Sequence, residues 1–204
     1  MLGKASKPFH RVSERGRDSQ AFPVTLELGA GGMESLPFVR HRFDTYIARD
    51  IRSFKGELPV PRSGAIEFRI LDASTVDLPD ATVDRVLATC LIMHLYDPYT
   101  ALQEWQRVCK PEGVIDFLVP CDPGVATRLF RKLVSGRAAR KNGVSWQEYR
   151  LVNALEHVSS FQRILDLAES ALFDSRRLSV DYFPFRSSRS WNLNAYAIFR
   201  ISSS

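Results

Sequence analysis

A chain of 204 residues, 45% of them hydrophobic and 25% charged, is long enough for one domain with a full core and too short for two typical ones. The longest apolar-looking run, residues 86–93, is far below the roughly 20 residues of a membrane span, and no apolar segment follows the early basic residues, so no signal peptide is expected; Cys90, Cys109 and Cys121, at no metal-ligand spacing, fit a reducing cytoplasm. The formal charge of +5 is uneven: residues 1–120 hold 15 basic and 16 acidic side chains, whereas residues 121–204 hold 13 and 7, an imbalance that suits an anionic partner or surface for the C-terminal part.

Residues 1–22 read as a polar, basic arm with a short helix at about 9–15, and residues 23–204 as one domain. Five apolar strand-like runs follow, at 23–27, 45–50, 66–71, 85–89 and 114–120. The segments between them are long enough for crossover helices, the pattern of a parallel sheet wound by βα units. Asp97 and Pro98 open the clearest of these helices as an N-cap acid and a first-turn proline. Ala101, Leu102, Trp105 and Val108 then recur at helical spacing, and Lys110, Pro111 and Gly113 predict its end. A basic helical insertion is expected at about 122–145. No acid lies between 123 and 147, while Arg128, Arg131, Lys132, Arg137, Arg140 and Lys141 supply six cations. Ser145 and Glu148 form a capping box that opens a single long helix carrying Leu155, Val158, Leu165, Ala168 and Leu172 on one side. Two final strands, at about 177–183 and 195–201, read as an antiparallel pair. The fold class is therefore α/β: a Rossmann-like sheet of seven strands, mostly parallel, with helices on both faces.

The first strand runs into Glu27, Gly29, Gly31 and Gly32 and then into a predicted helix. In open parallel sheets the ligand sits at the carboxyl ends of the strands, so this turn should touch it. A dinucleotide fingerprint needs a third glycine where Glu34 stands, and a carboxylate there repels a pyrophosphate. Glu27 adds a second negative charge. The turn suits a ligand without phosphates, and a cationic one best.

Glu27-x-Gly29-x-Gly31 after an apolar strand resembles the glycine-rich motif of class I S-adenosylmethionine (SAM) dependent methyltransferases. Met33 stands where that family usually has a further glycine. Asp50 at the end of the second strand, Asp72-Ala73 at the end of the third, Leu78-Pro79-Asp80 before the fourth, and Cys90 to Leu95 at its exit fall in the family's order. Residues 105–113 match the helix and turn before strand five. The closest likeness is to the type-11 group. The resemblance implies SAM as cofactor, held by Glu27, Gly29, Ala30, Gly31, Asp50, Ile51, Asp72, Ala73, Thr89 and Cys90. Asp50 is suited to the ribose hydroxyls, because a carboxylate only accepts hydrogen bonds. It also implies a small-molecule, sugar or lipid-linked acceptor, with surface glycan biosynthesis as one setting.

Methyl transfer is an in-line displacement that needs positioning and exclusion of water. A base is needed only where the acceptor must lose a proton. The candidates are His94, just past strand four, and His157, in the long helix; both have structural readings as well. Cys90 and Cys121 follow strand ends but read as small buried hydrophobes, and Tyr149, Tyr182 and Tyr196 as packing residues. No metal site is expected from three cysteines at no ligand spacing. An Asn-Pro-Pro-aromatic signature is missing after strand four, which disfavours nucleic-acid bases as acceptors. The basic insertion can cap the pocket, hold an anionic acceptor or lie on an anionic membrane as a peripheral contact. The competing readings are a non-catalytic partner subunit of the same fold and an NAD-dependent dehydrogenase.

Overall fold

A computed structural model describes residues 7–54, 60–61 and 63–204, so the first six residues of the expected arm lie outside the described residues. In chain order the elements are α1 (Lys7–Ser13), β1 (Val24–Leu28), a 3-10 turn (Leu36–Phe38), β2 (Thr45–Asp50), β3 (Ala65–Ile70), β4 (Val83–Thr89), a 3-10 turn (Ile92–His94), α2 (Pro98–Val108) and β5 (Cys109–Pro120). They continue with α3 (Val125–Phe130), a π-helical turn (Arg131–Ser135), α4 (Gly136–Lys141), α5 (Trp146–Glu156), α6 (Phe161–Ser170), β6 (Arg176–Phe183) and β7 (Tyr196–Ser203). The seven strands form one sheet in the order β3-β2-β1-β4-β5-β7-β6. Neighbours from β3 through β5 are parallel, and β7 runs antiparallel to both β5 and β6. The order reverses between β1 and β4, which makes the carboxyl ends of those strands the topological switch point.

Alternation along the central strands decides what each face packs. Leu26, Leu28, Val86, Ala88, Ile115 and Phe117 face α2 and α6, meeting Trp105, Phe161 and Ile164 in the main core. As the helical spacing predicted, Ala101, Leu102, Trp105 and Val108 are all fully buried. Asp97 caps α2 by accepting from the Thr100 amide at 3.1 Å.

The opposite face is covered by α1 and the loop after it, and its centre is ionic. Arg85 and Asp116 are fully buried on β4 and β5. Asp116 accepts from Arg85 at 3.0 Å, from Arg17 at 2.9 Å and from Arg200 at 2.8 Å. Glu14, just past α1, lies 2.7 Å from the other side of Arg85. Despite burial, which raises it, the Asp116 carboxyl is held below its ordinary value by the three guanidinium groups.

Four local expectations are corrected. No α-helix follows the glycine turn: Met33 takes a left-handed φ of 55°, its amide closes a turn onto the Ala30 carbonyl at 2.7 Å, and Pro37 then restricts the chain to a 3-10 turn. Among the described residues the β2–β3 and β3–β4 connections also lack α-helices. The second of these is clamped by Arg107, which donates to the carbonyls of Val76 and Leu78 at 2.9 and 3.0 Å. Helix α2 ends at Val108, and Lys110 to Gly113 bulge within β5, whose pairing with β4 jumps from Val83–Cys109 to Arg85–Val114. The single long helix is two: the capping box is present on α5, but the Val158 and Ser159 amides donate to the Met93 carbonyl at 3.0 and 3.3 Å, and Ser160 starts α6 by capping the Arg163 amide.

Candidate active site

The switch point is built from the exits of β1, β2 and β4. Gly29 has φ +66°, and a β-carbon there would sit 2.9 Å from Leu91 Cδ1, so glycine lets the first turn pass the β4 exit without strain. The Gly31 amide donates to Asp50 Oδ2 at 2.8 Å. Asp50 Oδ1 accepts from the Arg52 amide and Nε at 2.9 and 3.2 Å. Burial raises the Asp50 carboxyl, but these donors outweigh it and hold the group below its ordinary value. Three bonds leave one lone-pair direction open, and the Arg52 side chain is 77% exposed and can swing away. Asp72 accepts from the Ser74 amide at 2.7 Å and from its hydroxyl, which lowers its carboxyl.

The remaining predicted residues fall into distinct places. Ala30 is buried and donates its amide to the Arg49 carbonyl at 2.9 Å. Ala73 is buried, and its carbonyl accepts from Trp105 Nε1 at 3.0 Å. Ile51 is exposed. Thr89 ends β4 with its hydroxyl buried and unpartnered, and Cys90 takes φ +54°. Glu27 is not turned to the strand ends. It points to the opposite face, where Ser35 and Tyr46 donate to its two oxygens, the latter at 2.8 Å. Burial pushes its carboxyl up to about 7. Burial also pushes the Cys90 and Cys121 thiols up to about 12, so neither is a thiolate nucleophile.

His94 and His157, far apart in sequence, meet edge-on with ring centroids 4.9 Å apart. His94 Nδ1 lies 2.9 Å from the Glu156 carbonyl. A carbonyl only accepts, so Nδ1 carries the proton and Nε2 is left as an acceptor. Burial outweighs the opposing help of that carbonyl and lowers the His94 pKa below 6.5. His157 caps α5, and its Nδ1 accepts from Arg131 at 2.9 Å. Arg131 in turn pairs with Asp122 at 2.9 Å. Beside this cluster a cleft of about 570 Å³ opens between the insertion and α5, lined among others by Arg128, Lys132, Arg150, Trp146 and Tyr149.

Sequence reasoning did not single out Arg131 with Asp122, Trp146 or Arg150 as site residues. The run of cations around Arg131 was visible, but only the return of α5 over the insertion brings the others to it. Nor did it foresee Arg52 or the unpartnered Thr89 hydroxyl.

Strand order and switch-point turn define a Rossmann-like α/β fold of the kind seen in SAM-dependent methyltransferase structures. Residues 26–117 match the family model described as a methyltransferase domain. A phosphatidylethanolamine N-methyltransferase of Cereibacter sphaeroides is 32% identical over 123 residues, 52% of this chain and 58% of that protein. The match thus spans less than two thirds of that relative. Among solved structures, the 1,6-didemethyltoxoflavin-N1-methyltransferase of Burkholderia thailandensis, with bound S-adenosylhomocysteine, superposes with a TM-score of 0.58 at 14% identity, covering 98% of this chain and 79% of that one. The N-methyltransferase NodS of Bradyrhizobium japonicum WM9, also with S-adenosylhomocysteine, gives 0.57 at 13% identity, covering 97% and 86%. At these identities the likeness is one of fold.

The residues present fit SAM. The buried Thr89 hydroxyl lacks a partner at the mouth, Asp50 keeps acceptor capacity, and Glu34, Asp50 and Asp72 make the turn region acidic. An acidic mouth favours a ligand that carries an ammonium and a sulfonium over one that carries phosphates. Among the described residues, no group of three or more metal-ligating side chains is assembled.

Proposed function

We propose that the chain is a SAM-dependent methyltransferase whose acceptor is a small molecule or a lipid-linked group, the latter favoured over a surface glycan by the aminolipid in the relative's name. The observation that carries this reading is the opposition of an acid-ended switch point to a cation-lined cleft beside two histidines. Bound SAM supplies an electrophilic methyl group on a sulfonium. Asp50 holds ribose hydroxyls by accepting from them, Asp72 lies where an adenine amino group can be read, and the Gly29–Gly31 turn lets the backbone approach closely. His94 takes the acceptor's proton at Nε2, the nitrogen its bond to Glu156 leaves free. His157 positions the His94 ring through their edge contact, itself held by Arg131 and Asp122.

The test is calorimetric titration of the protein with SAM, S-adenosylhomocysteine and NAD, repeated with Asp50→Ala. Binding of the two sulfur ligands, weakened at least about tenfold in the variant by loss of charge-assisted hydrogen bonds, supports the reading. Binding of NAD alone, or of none of the three, refutes it.

A further inference from the structure

Arg128, Arg131, Lys132 and Arg150 converge on one cleft, and its acid is Asp122. Arg131 spends its charge on Asp122 at 2.9 Å. Among the described residues, no carboxylate comes within ion-pair distance of Arg128, Lys132 or Arg150, although the chain pairs Arg107, Lys110 and Arg200 with acids elsewhere. Like charges gathered around a concave surface without counter-ions repel one another, and an anion seated among them removes the cost. Guanidinium groups match phosphate oxygens two at a time, which a carboxylate-poor cleft with three arginines favours.

The frame that holds these cations is built for the cleft. Residues 125–141 run as one helical stretch, widened by the π-helical turn at Arg131–Ser135, from which both Arg131 and Lys132 leave the backbone. Trp146 packs face to Gly136, where a β-carbon would lie 2.6 Å from the ring, and this close approach brings α5 and its Arg150 across the insertion. Trp146 and Tyr149 stack at 5.5 Å and 19° and give the cleft an apolar wall beside its cations. The floor is tied to the cofactor end of the sheet: the Phe161 amide donates to the Asp122 carbonyl and the Val158 amide to the Met93 carbonyl, both at 3.0 Å.

We infer that this cleft binds a phosphate ester, with the phosphate between Arg128, Lys132 and Arg150 and its organic part against Trp146 and Tyr149. As a place for the methyl acceptor it rests on the methyltransferase reading; as an anion site it does not. Two sources share this chemistry, a soluble phosphate ester and a phospholipid headgroup. Val125, Leu129 and Leu133 on the insertion and Leu151 and Leu155 on α5 are exposed on the same helices, as contact with a lipid surface would use them.

The experiment titrates the full chain with phosphoethanolamine by calorimetry, and with vesicles of phosphatidylethanolamine and phosphatidylglycerol by co-sedimentation. S-Adenosylhomocysteine is titrated in parallel. Two triple variants remove the same charge, Arg128→Gln/Lys132→Gln/Arg150→Gln in the cleft and Arg137→Gln/Arg140→Gln/Lys141→Gln outside its lining. Loss of at least about tenfold in affinity for either probe in the first, with the second within about twofold of the parent, establishes the site. Calorimetric binding assigns the ester to a soluble molecule, and binding to vesicles alone assigns it to a lipid. No binding of either probe, or equal weakening by both triples, overturns the inference. Retained binding of S-adenosylhomocysteine in that case leaves the methyltransferase reading standing, and its loss with phosphate binding intact removes that reading alone.

Discussion

Glu27 carries a sharp stability prediction, because its carboxyl is 3% exposed and titrates at about 7 instead of 4.5. Burial is the largest cause; Ser35 and Tyr46 donate to the carboxylate and offset only part of it. The native pKa is raised above the unfolded one, so between the two values the unfolded chain has released a proton that the native protein keeps. Stability from this group is therefore full below pH 4.5 and is lost as pH rises through 7. The interval from 4.5 to about 7, at 1.36 kcal/mol per pH unit, amounts to about 3 kcal/mol. Glu27→Gln has no such loss, since the amide stays neutral and the Ser35 and Tyr46 hydroxyls can rotate to accept as well as donate. Urea unfolding of both proteins from pH 4.5 to 8 isolates the group, because every other titration is common to both. The variant should gain on the parent by about 3 kcal/mol across that range. Parallel curves would refute the account of Glu27 as a buried, charge-penalised acid.

Asp116→Asn removes the carboxylate charge shared by Arg17, Arg85 and Arg200 and leaves buried Arg17 without its acid; it should cost about 3–5 kcal/mol in urea unfolding. Gly136→Ala gains up to about 1 kcal/mol of helix propensity but forces a β-carbon into the Trp146 ring, so the melting temperature should fall and Trp146 fluorescence shift toward that of an exposed indole. Ser160→Ala removes the cap on α6 and should cost about 1 kcal/mol with the cofactor affinity unchanged. Once an acceptor is found, the acid limb of kcat should lie below pH 6.5, because burial depresses His94; His94→Asn should lower kcat by about 10²-fold and erase that limb, and an unchanged limb would assign the base elsewhere.

What the sequence displayed was set by local chemistry. The apolar run at 45–50 predicts strand β2, which lies at Thr45–Asp50, because such a run acts within a few positions. The same holds for the Asp97-Pro98 start of α2 and the Ser145–Glu148 capping box. What it concealed was set by distant partners. The Ser160 cap is the one local sign of a new helix start; that the Val158 amide leaves for the carbonyl of Met93 is set by that distant partner, and helical periodicity continues straight through the break. The glycine turn showed where a ligand approaches, but Met33 in the left-handed region and Pro37 outweighed the helix expected after it. The acid at Glu27 was visible and its direction was not: residues alternate sides along a strand, and pairing of β1 with β2 places Glu27 beside Ala48 with Tyr46 in reach of its carboxylate.

The division of charge follows from the same topology. Acids collect along the carboxyl edge beside the switch point, since Asp50 closes β2, Asp72 lies just past its neighbour β3 and Glu34 sits on the turn between β1 and β2. Cations on the segment after β5 collect opposite, since Asp122 starts that segment at the same carboxyl edge and the α5–α6 junction is bonded back to it. On the proposed function and the proposed phosphate site, a cationic methyl donor and an anionic acceptor would be drawn to adjacent places by fields of opposite sign, which raises the local concentration of each and penalises the exchange of one for the other. Reversing the cleft charges should therefore weaken acceptor binding and leave S-adenosylhomocysteine binding intact. A pair of ligands weakened together by that change would mean a single shared field and not two sites.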